Sequence, residues 1–280
     1  MVNFDFLRIK KWKLATGSAI GLSHEKNLIP CQDFAESIDN GNIKSIALAD
    51  GAGSKKHSDI GAKTIVKEVN EMNTSNFEKL INLSETELVE EYKNFITLKI
   101  NETAKKHSID IDDLSSTLLF TATNGEKFII GHLGDGAIAS INNMNNINLQ
   151  SAPQNAEYVN QTYFTTNRNL EKHLRIKVDS IKNIIGFILM SDGSADSLFS
   201  KQNNKFSSVL IDICDWLNYY PEKVVSDAIT NNLMETLRFK TSDDCSLAIM
   251  CKPNKIGQKD LLYPFDIIFP NFKKNENSSN

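Results

Sequence analysis

Four apolar-rich segments of this chain are each bounded by aspartate. Residues 43–49 (IKSIALA) run into Asp50-Gly51, and Ile184–Met190 runs into Ser191-Asp192-Gly193. Lys127–Leu133 is followed by Gly134-Asp135-Gly136, and Asp243-Asp244 stands directly before Cys245–Cys251 (CSLAIMC). Apolar runs of this length read as buried strands. A single Asp-Gly is ordinary turn chemistry, because both residues tolerate the dihedrals a turn needs. Repetition at the edges of the most apolar segments changes the expectation. If these strands share one sheet or two facing sheets, their carboxylates converge at one rim. Like charges brought together repel and need a cation. An all-oxygen set without Cys or His suits a hard cation such as Mg²⁺ or Mn²⁺.

The segments between these strands read mostly as helices and hairpins. From Asp59 the apolar period changes, with Ala62, Ile65, Val66 and Val69 on one helical face and Ser58 or Asp59 as the expected N-cap. Ser84-Glu85-Thr86-Glu87 has the form of a capping box, followed by Leu88, Tyr92, Phe95 and Ile96 at helical spacing to about Lys106. Residues 116–123 and Lys127–Leu133 are joined by Asn124-Gly125, a hairpin signal. Residues 137–141 follow as a strand, and residues 142–148 are Asn-rich and read as a turn. Residues 209–217 and 222–237 read as helices. Grouped helices with hairpin-linked strands favour an α+β layered fold with antiparallel sheets.

Composition excludes several classes. With 31 Lys and Arg against 35 Asp and Glu the formal charge is −4, which argues against a nucleic-acid surface and a polybasic membrane anchor. No apolar run approaches the roughly 20 residues a membrane helix needs. The opening residues show no h-region, so no secretory leader is expected, and the four cysteines form no CxxC pair. The expectation is a cytoplasmic protein with reduced thiols and no zinc site.

The ordered motifs GLSHEKNLIPCQDF, ALADGAGSKKHSDIGA, SSTLLFTA, GHLGDGAIAS, ILMSDGSADSL and SDDCSLAIM resemble the metal-dependent Ser/Thr phosphatases of the protein phosphatase 2C family. The resemblance extends from about Ala15 to Cys251 and is nearest to a divergent bacterial branch. It implies a four-layer α/β/β/α sandwich of two antiparallel sheets flanked by helices. It also implies two, or with a weaker site three, Mg²⁺ or Mn²⁺ ions. The implied activity is hydrolysis of phosphoserine or phosphothreonine by a water bridging two ions. By resemblance, Asp50 bridges those ions, Gly51 offers a carbonyl, and Asp192 and Asp243 are ligands. Asp244, where many members have Asn, is counted with the metal residues, Asp135 matches the ligand of a third ion, and Asp33 matches the second acid of the N-terminal pair.

The departures are specific. Gln32 stands where many members have a ligand Glu, which removes one negative charge from the second metal site. The phosphate-binding Arg position falls on Leu28, and His24, Lys26 or Lys55 could replace it, with His24 favoured. The position of a leaving-group proton donor is Ala52, with His57 as a substitute from the same loop. These departures support an alternative reading, a catalytically weak or silent module that binds a phosphoprotein or kinase partner. Residues 1–255 are expected to form the catalytic domain and 256–280 an extension with a polar tail. A monomer acting on a phosphorylated protein, with a Ser/Thr kinase as the paired activity, completes the expectation.

Overall fold

The computed structural model describes residues 11–154 and 162–252 of the 280. The extension at 256–280 lies outside the described residues. Strand β1 (Lys13–Ala19) leads through a short α1 (Leu22–Lys26) to β2 (Phe34–Asp39) and β3 (Lys44–Ala49). Two long helices follow, α2 (Ser58–Leu80) and α3 (Glu85–His107). Then come β4 (Leu118–Thr123), β5 (Lys127–Leu133), β6 (Ala137–Asn142) and β7 (Ile147–Ser151). Next are β8 (Arg175–Ser180), β9 (Ile184–Met190) and α4 (Asp192–Leu198). A two-residue hairpin, β10 (Phe199–Ser200) with β11 (Lys205–Phe206), precedes α5 (Val209–Tyr219), α6 (Glu222–Glu235) and β12 (Cys245–Cys251).

Two antiparallel five-stranded sheets carry the fold, ordered β1-β12-β9-β6-β7 and β2-β3-β4-β5-β8. Side chains alternate across each strand. On β3, Ile46 and Leu48 face the space between the sheets, whereas Ala47 and Ala49 pack under α2 and α3. On β12, Ala248 and Met250 face the opposite sheet, and Cys245, Leu247 and Ile249 face α5 and α6. Strands buried on both faces lose the polar alternation of a half-exposed sheet. This is why the sequence shows apolar-rich runs without strict alternation. The result is helices, sheet, sheet, helices: the α+β sandwich expected.

Local signals behave as their chemistry dictates. Ser84 and Glu87 close a reciprocal capping box at the start of α3. Ala62, Ile65, Val66 and Val69 are all fully buried on α2. The N-cap expectation needs correction: Ser58 is the first helical residue and His57 holds the cap position without a side-chain bond. Ser58 instead donates to the Lys55 carbonyl. The Asn-rich stretch is a tight turn, with Asn145 at positive φ, and β7 already begins at Ile147.

Candidate metal centre

Strand register sets the site. Phe34 pairs with Ala49, Ala137 with Met190, Leu247 with Met190, and Ala19 with Cys245. Asp33, Asp50, Asp135, Asp192 and Asp243 therefore all leave their strands at one end of the sandwich. Asp50, Asp135 and Asp192 each place a carboxylate oxygen within 4.8 Å of the others. All three retain some solvent access. Asp243 sits half-buried beside them, and its Oδ1 accepts the Asp244 N–H.

The Asp50 loop is clamped by β4. The Asp50 N–H donates to Thr117 Oγ1 at 2.9 Å and its carbonyl accepts the Thr117 N–H at 2.8 Å. Gly51 bridges Ser116 and donates its N–H to the Gln32 carbonyl. A β-carbon at Gly51 would come within 2.9 Å of that carbonyl and of Ser58, so this approach requires glycine. At Gly134, φ of +114° allows the turn that presents Asp135, whose carboxylate accepts the Thr162 hydroxyl.

The electrostatics are those of crowded anions. Burial, then the charges of Asp33, Asp192 and Asp243, hold Asp50 well above the usual carboxylate range. Asp33 is raised by burial and by Asp244, with the nearby Ser191 and Ser246 hydroxyls offsetting only part of this. Asp192 is pushed up to about 6 by burial, Asp135 and Asp243. Neither Asp33 oxygen nor Gln32 Oε1 makes a well-formed hydrogen bond, although all three atoms are buried. The Gln32 amide nitrogen donates to the Lys55 carbonyl at 3.1 Å, which fixes the orphan as the oxygen. Buried acceptors without donors beside clustered carboxylates are what a hard cation or its water would satisfy. The donor set fits Mg²⁺ or Mn²⁺.

Asp244 behaves differently from its neighbour. It is 1% exposed, and its two oxygens accept the backbone N–H groups of Gly21 and Gln32, each at 2.6 Å. Consecutive residues at a strand start point to opposite sides, so Asp243 faces the carboxylates while Asp244 is committed to the backbone behind them. Its Oδ2 also stands 3.0 Å from His24 Nδ1, at ion-pair distance but out of line for a hydrogen bond. His24 Nε2 and Gln32 Oε1 both lie 3.9 Å from where a Gly53 β-carbon would be. Glycine there leaves an open space flanked by an imidazole and an orphan amide oxygen.

The other candidates separate. Leu28 points into solvent and Ala52 is buried. His57 is half-buried and makes no side-chain cap bond at the start of α2. Lys26 and Lys56 are exposed, and Lys55 is half-buried. Of the basic residues between 144 and 179, Arg175 is structural, donating to His132 Nδ1 and the Ala152 carbonyl, and the His173 ring stacks on Tyr163 at 3.6 Å. Sequence reasoning missed Thr117, Thr162 and Ser191 as supports. Thr117 and Ser191 left a signal, as the first threonine of SSTLLFTA and the first serine of ILMSDGSADSL, and Thr162 left none.

His132 is fully buried on β5. Its Nε2 donates to the Gly134 carbonyl at 3.0 Å, and Nδ1 accepts from Arg175 at 2.9 Å, the neutral tautomer that supports the Asp135 turn. Burial, then the Arg175 charge, pushes its pKa down to about 3 from 6.5. As pH falls through that window the unfolded chain binds a proton that the native ring refuses. Stability fully present above pH 6.5 is thus lost at up to about 1.4 kcal/mol per pH unit. His132→Gln removes this contribution. Urea unfolding at about pH 7 and about pH 5 should show a smaller acid loss in the variant than in the wild type. Equal losses would mean the site accepts a charged ring.

Comparison with known proteins agrees with this geometry. The family described as protein phosphatase 2C matches residues 20–238. Serine/threonine-protein phosphatase 3 of Escherichia coli (strain K12) is 25% identical over 172 residues, 58% of this chain and 66% of that protein. A bacterial serine phosphatase structure superposes with a TM-score of 0.59 at 12% identity, covering 88% of this chain and 100% of its own. Stp1 of Staphylococcus aureus gives 0.56 at 13% identity, covering 86% and 95%. Among the described residues no helix is long and apolar enough to cross a membrane.

Proposed function

The chain belongs to the protein phosphatase 2C family, and from that membership we propose that it is a metal-dependent phosphatase of phosphoserine and phosphothreonine in proteins. The observation that carries the reading is the Asp50, Asp135 and Asp192 cluster beside buried oxygens of Asp33 and Gln32 that make no well-formed hydrogen bond. Asp50, Asp192 and Asp243, with the Gly51 carbonyl, are the proposed holders of two Mg²⁺ or Mn²⁺ ions, and Asp135 belongs to a third site. Gln32 and Asp33 orient water at the buried side. Divalent ions bound there supply an activated water and neutralise the phosphoryl charge. Asp244 is proposed as a support of the backbone and of His24 rather than a ligand.

His24 is the proposed contact to the phosphoryl oxygens. Its Nε2 borders the open space at Gly53, and Asp244 holds the opposite side of the ring. Losing a charge-assisted hydrogen bond costs about 1.5–3 kcal/mol, so His24→Gln should lower kcat/KM roughly 10- to 100-fold. Asp244→Asn should act in the same direction. Steady-state turnover of p-nitrophenyl phosphate decides this; unchanged kcat/KM in His24→Gln removes His24 from the site.

The parent reading is tested by a panel of phosphoserine and phosphothreonine peptides with Mn²⁺ or Mg²⁺, with and without chelator. Metal-dependent phosphate release is expected. Peptide binding without release would instead support the silent module, which the charge lost at Gln32 favours. A phosphorylated protein is the proposed partner, in a cytoplasmic setting with its kinase as the opposing activity.

A further inference from the structure

Helix α1 ends in a way its sequence does not favour. The Ile29 N–H reaches the His24 carbonyl at 2.9 Å and the Leu28 N–H reaches the Glu25 carbonyl at 3.2 Å, a Schellman-type ending. The residue after such an ending adopts a left-handed conformation, normally on glycine or asparagine. Here it is Leu28, at φ +56°. The other non-glycine residues at positive φ among the described residues are Ser108, Asn145, Asn183 and Asn204, all small and polar. Leu28 is also 93% exposed. A lone exposed leucine is ordinary. An exposed leucine held in a backbone conformation that disfavours its side chain is not accounted for by folding stability.

Its position indicates what it serves. Leu28 is four residues from His24, whose Nε2 borders the space at Gly53. Phe239, 59% exposed, is tied to the same segment: Arg238 lies over its ring at 5.5 Å and pairs with Glu25 at 3.2 Å. Lys26 on α1 and Lys56 in the loop after Gly53 are exposed, Lys55 in that loop is half-buried, and none of the three forms an ion pair with a described residue. Two exposed apolar side chains tied to a helix that also carries the exposed cation Lys26 match an anionic polypeptide with apolar residues beside its phosphate.

We propose that Leu28 and Phe239 form a docking contact for the polypeptide that carries the phosphorylated residue. The proposal rests on reading the carboxylate site as a phosphatase centre. The test compares wild type, Leu28→Gly and Phe239→Ser on p-nitrophenyl phosphate, which has no polypeptide, and on phosphothreonine peptides with apolar flanking residues. Both variants should raise KM for the peptides about fivefold or more, with p-nitrophenyl phosphate kinetics unchanged. Leu28→Gly should leave Tm unchanged or raised, because glycine accepts the left-handed backbone. Anisotropy of a labelled phosphopeptide on the Asp50→Asn background, with and without Leu28→Gly, should show the same loss of affinity without needing turnover. If wild type hydrolyses neither substrate, the phosphatase reading fails, and anisotropy still decides the docking contact. Equal peptide affinity and KM in all forms overturns the proposal. So does an equal loss on both substrates, which would indicate distortion of the site. So does a concentration-dependent dimer that Leu28→Gly abolishes, which would make a second copy the occupant.

Discussion

Asp50→Asn is expected to lower metal-dependent turnover at least about 10³-fold, since one preorganised charge at the reacting centre is worth that order. The same variant should make the metal-free protein more stable. Asp50 is held above the usual carboxylate range by its partial burial and by the charges of Asp33, Asp192 and Asp243. The amide is isosteric and uncharged, so it relieves repulsion without leaving a cavity. The bonds that fix this turn, Asp50 N–H to Thr117 Oγ1 and Thr117 N–H to the Asp50 carbonyl, are made by the Asp50 main chain and survive the change. Metal should reverse the ranking. A ligand at 100 times its Kd stabilises by about 2.7 kcal/mol, and Asp50→Asn forfeits most of that. Thermal melts with chelator and with Mn²⁺ check both signs. If Asp50→Asn melts lower than wild type in chelator, Asp50 is a structural acceptor rather than one of several crowded anions. If it keeps wild-type turnover, the proposed centre is wrong.

The parts of this fold legible in the sequence are those buried on both faces. β3, β9 and β12 are apolar-rich because a helix covers one side and a sheet the other. The aspartates that bound them were readable because they interrupt those apolar runs. β2 (FAESID) and β8 (RIKVDS) left weaker marks, because each lies at a sheet edge with mostly part-exposed side chains. β1 reads as small and polar (KLATGSA) because α6 packs closely on it; a β-carbon at Gly17 would meet Ile229 and Thr230 within 3 Å. At the site, the repeated aspartate at strand ends pointed to Asp50, Asp135, Asp192 and Asp243, and the family resemblance to Asp33, but neither gave the direction each one faces. Asp243 and Asp244 are neighbours in sequence, and the pleat turns them to different tasks. The Asp244 contacts to Gly21, His24 and Gln32 span more than 200 residues and have no local signature.

Gly61→Ala tests how firmly the Asp50 loop depends on the helix beside it, and two effects oppose each other. Inside a helix alanine is favoured over glycine by about 1 kcal/mol. At Gly61, however, a β-carbon would lie 1.9 Å from the Leu114 carbonyl oxygen and 2.6 Å from its carbon. Those atoms are backbone and cannot rotate away, so α2 or the 114–117 segment must move. Overpacking of this kind costs about 1–3 kcal/mol, and a contact this short belongs at or beyond the upper end. A net loss of about 2 kcal/mol and a lower Tm are expected, the reverse of the propensity argument. The displaced segment is also the one that clamps the site. Ala52 N–H donates to the Ser115 carbonyl at 2.9 Å, Gly51 bridges Ser116, and Thr117 holds Asp50 from both sides. Turnover should therefore fall at temperatures where the variant is still fully folded, and Mn²⁺ should raise its Tm less than that of the wild type. A higher Tm in Gly61→Ala would show that helix and loop can part without cost, and that Asp50 is held by something other than this contact.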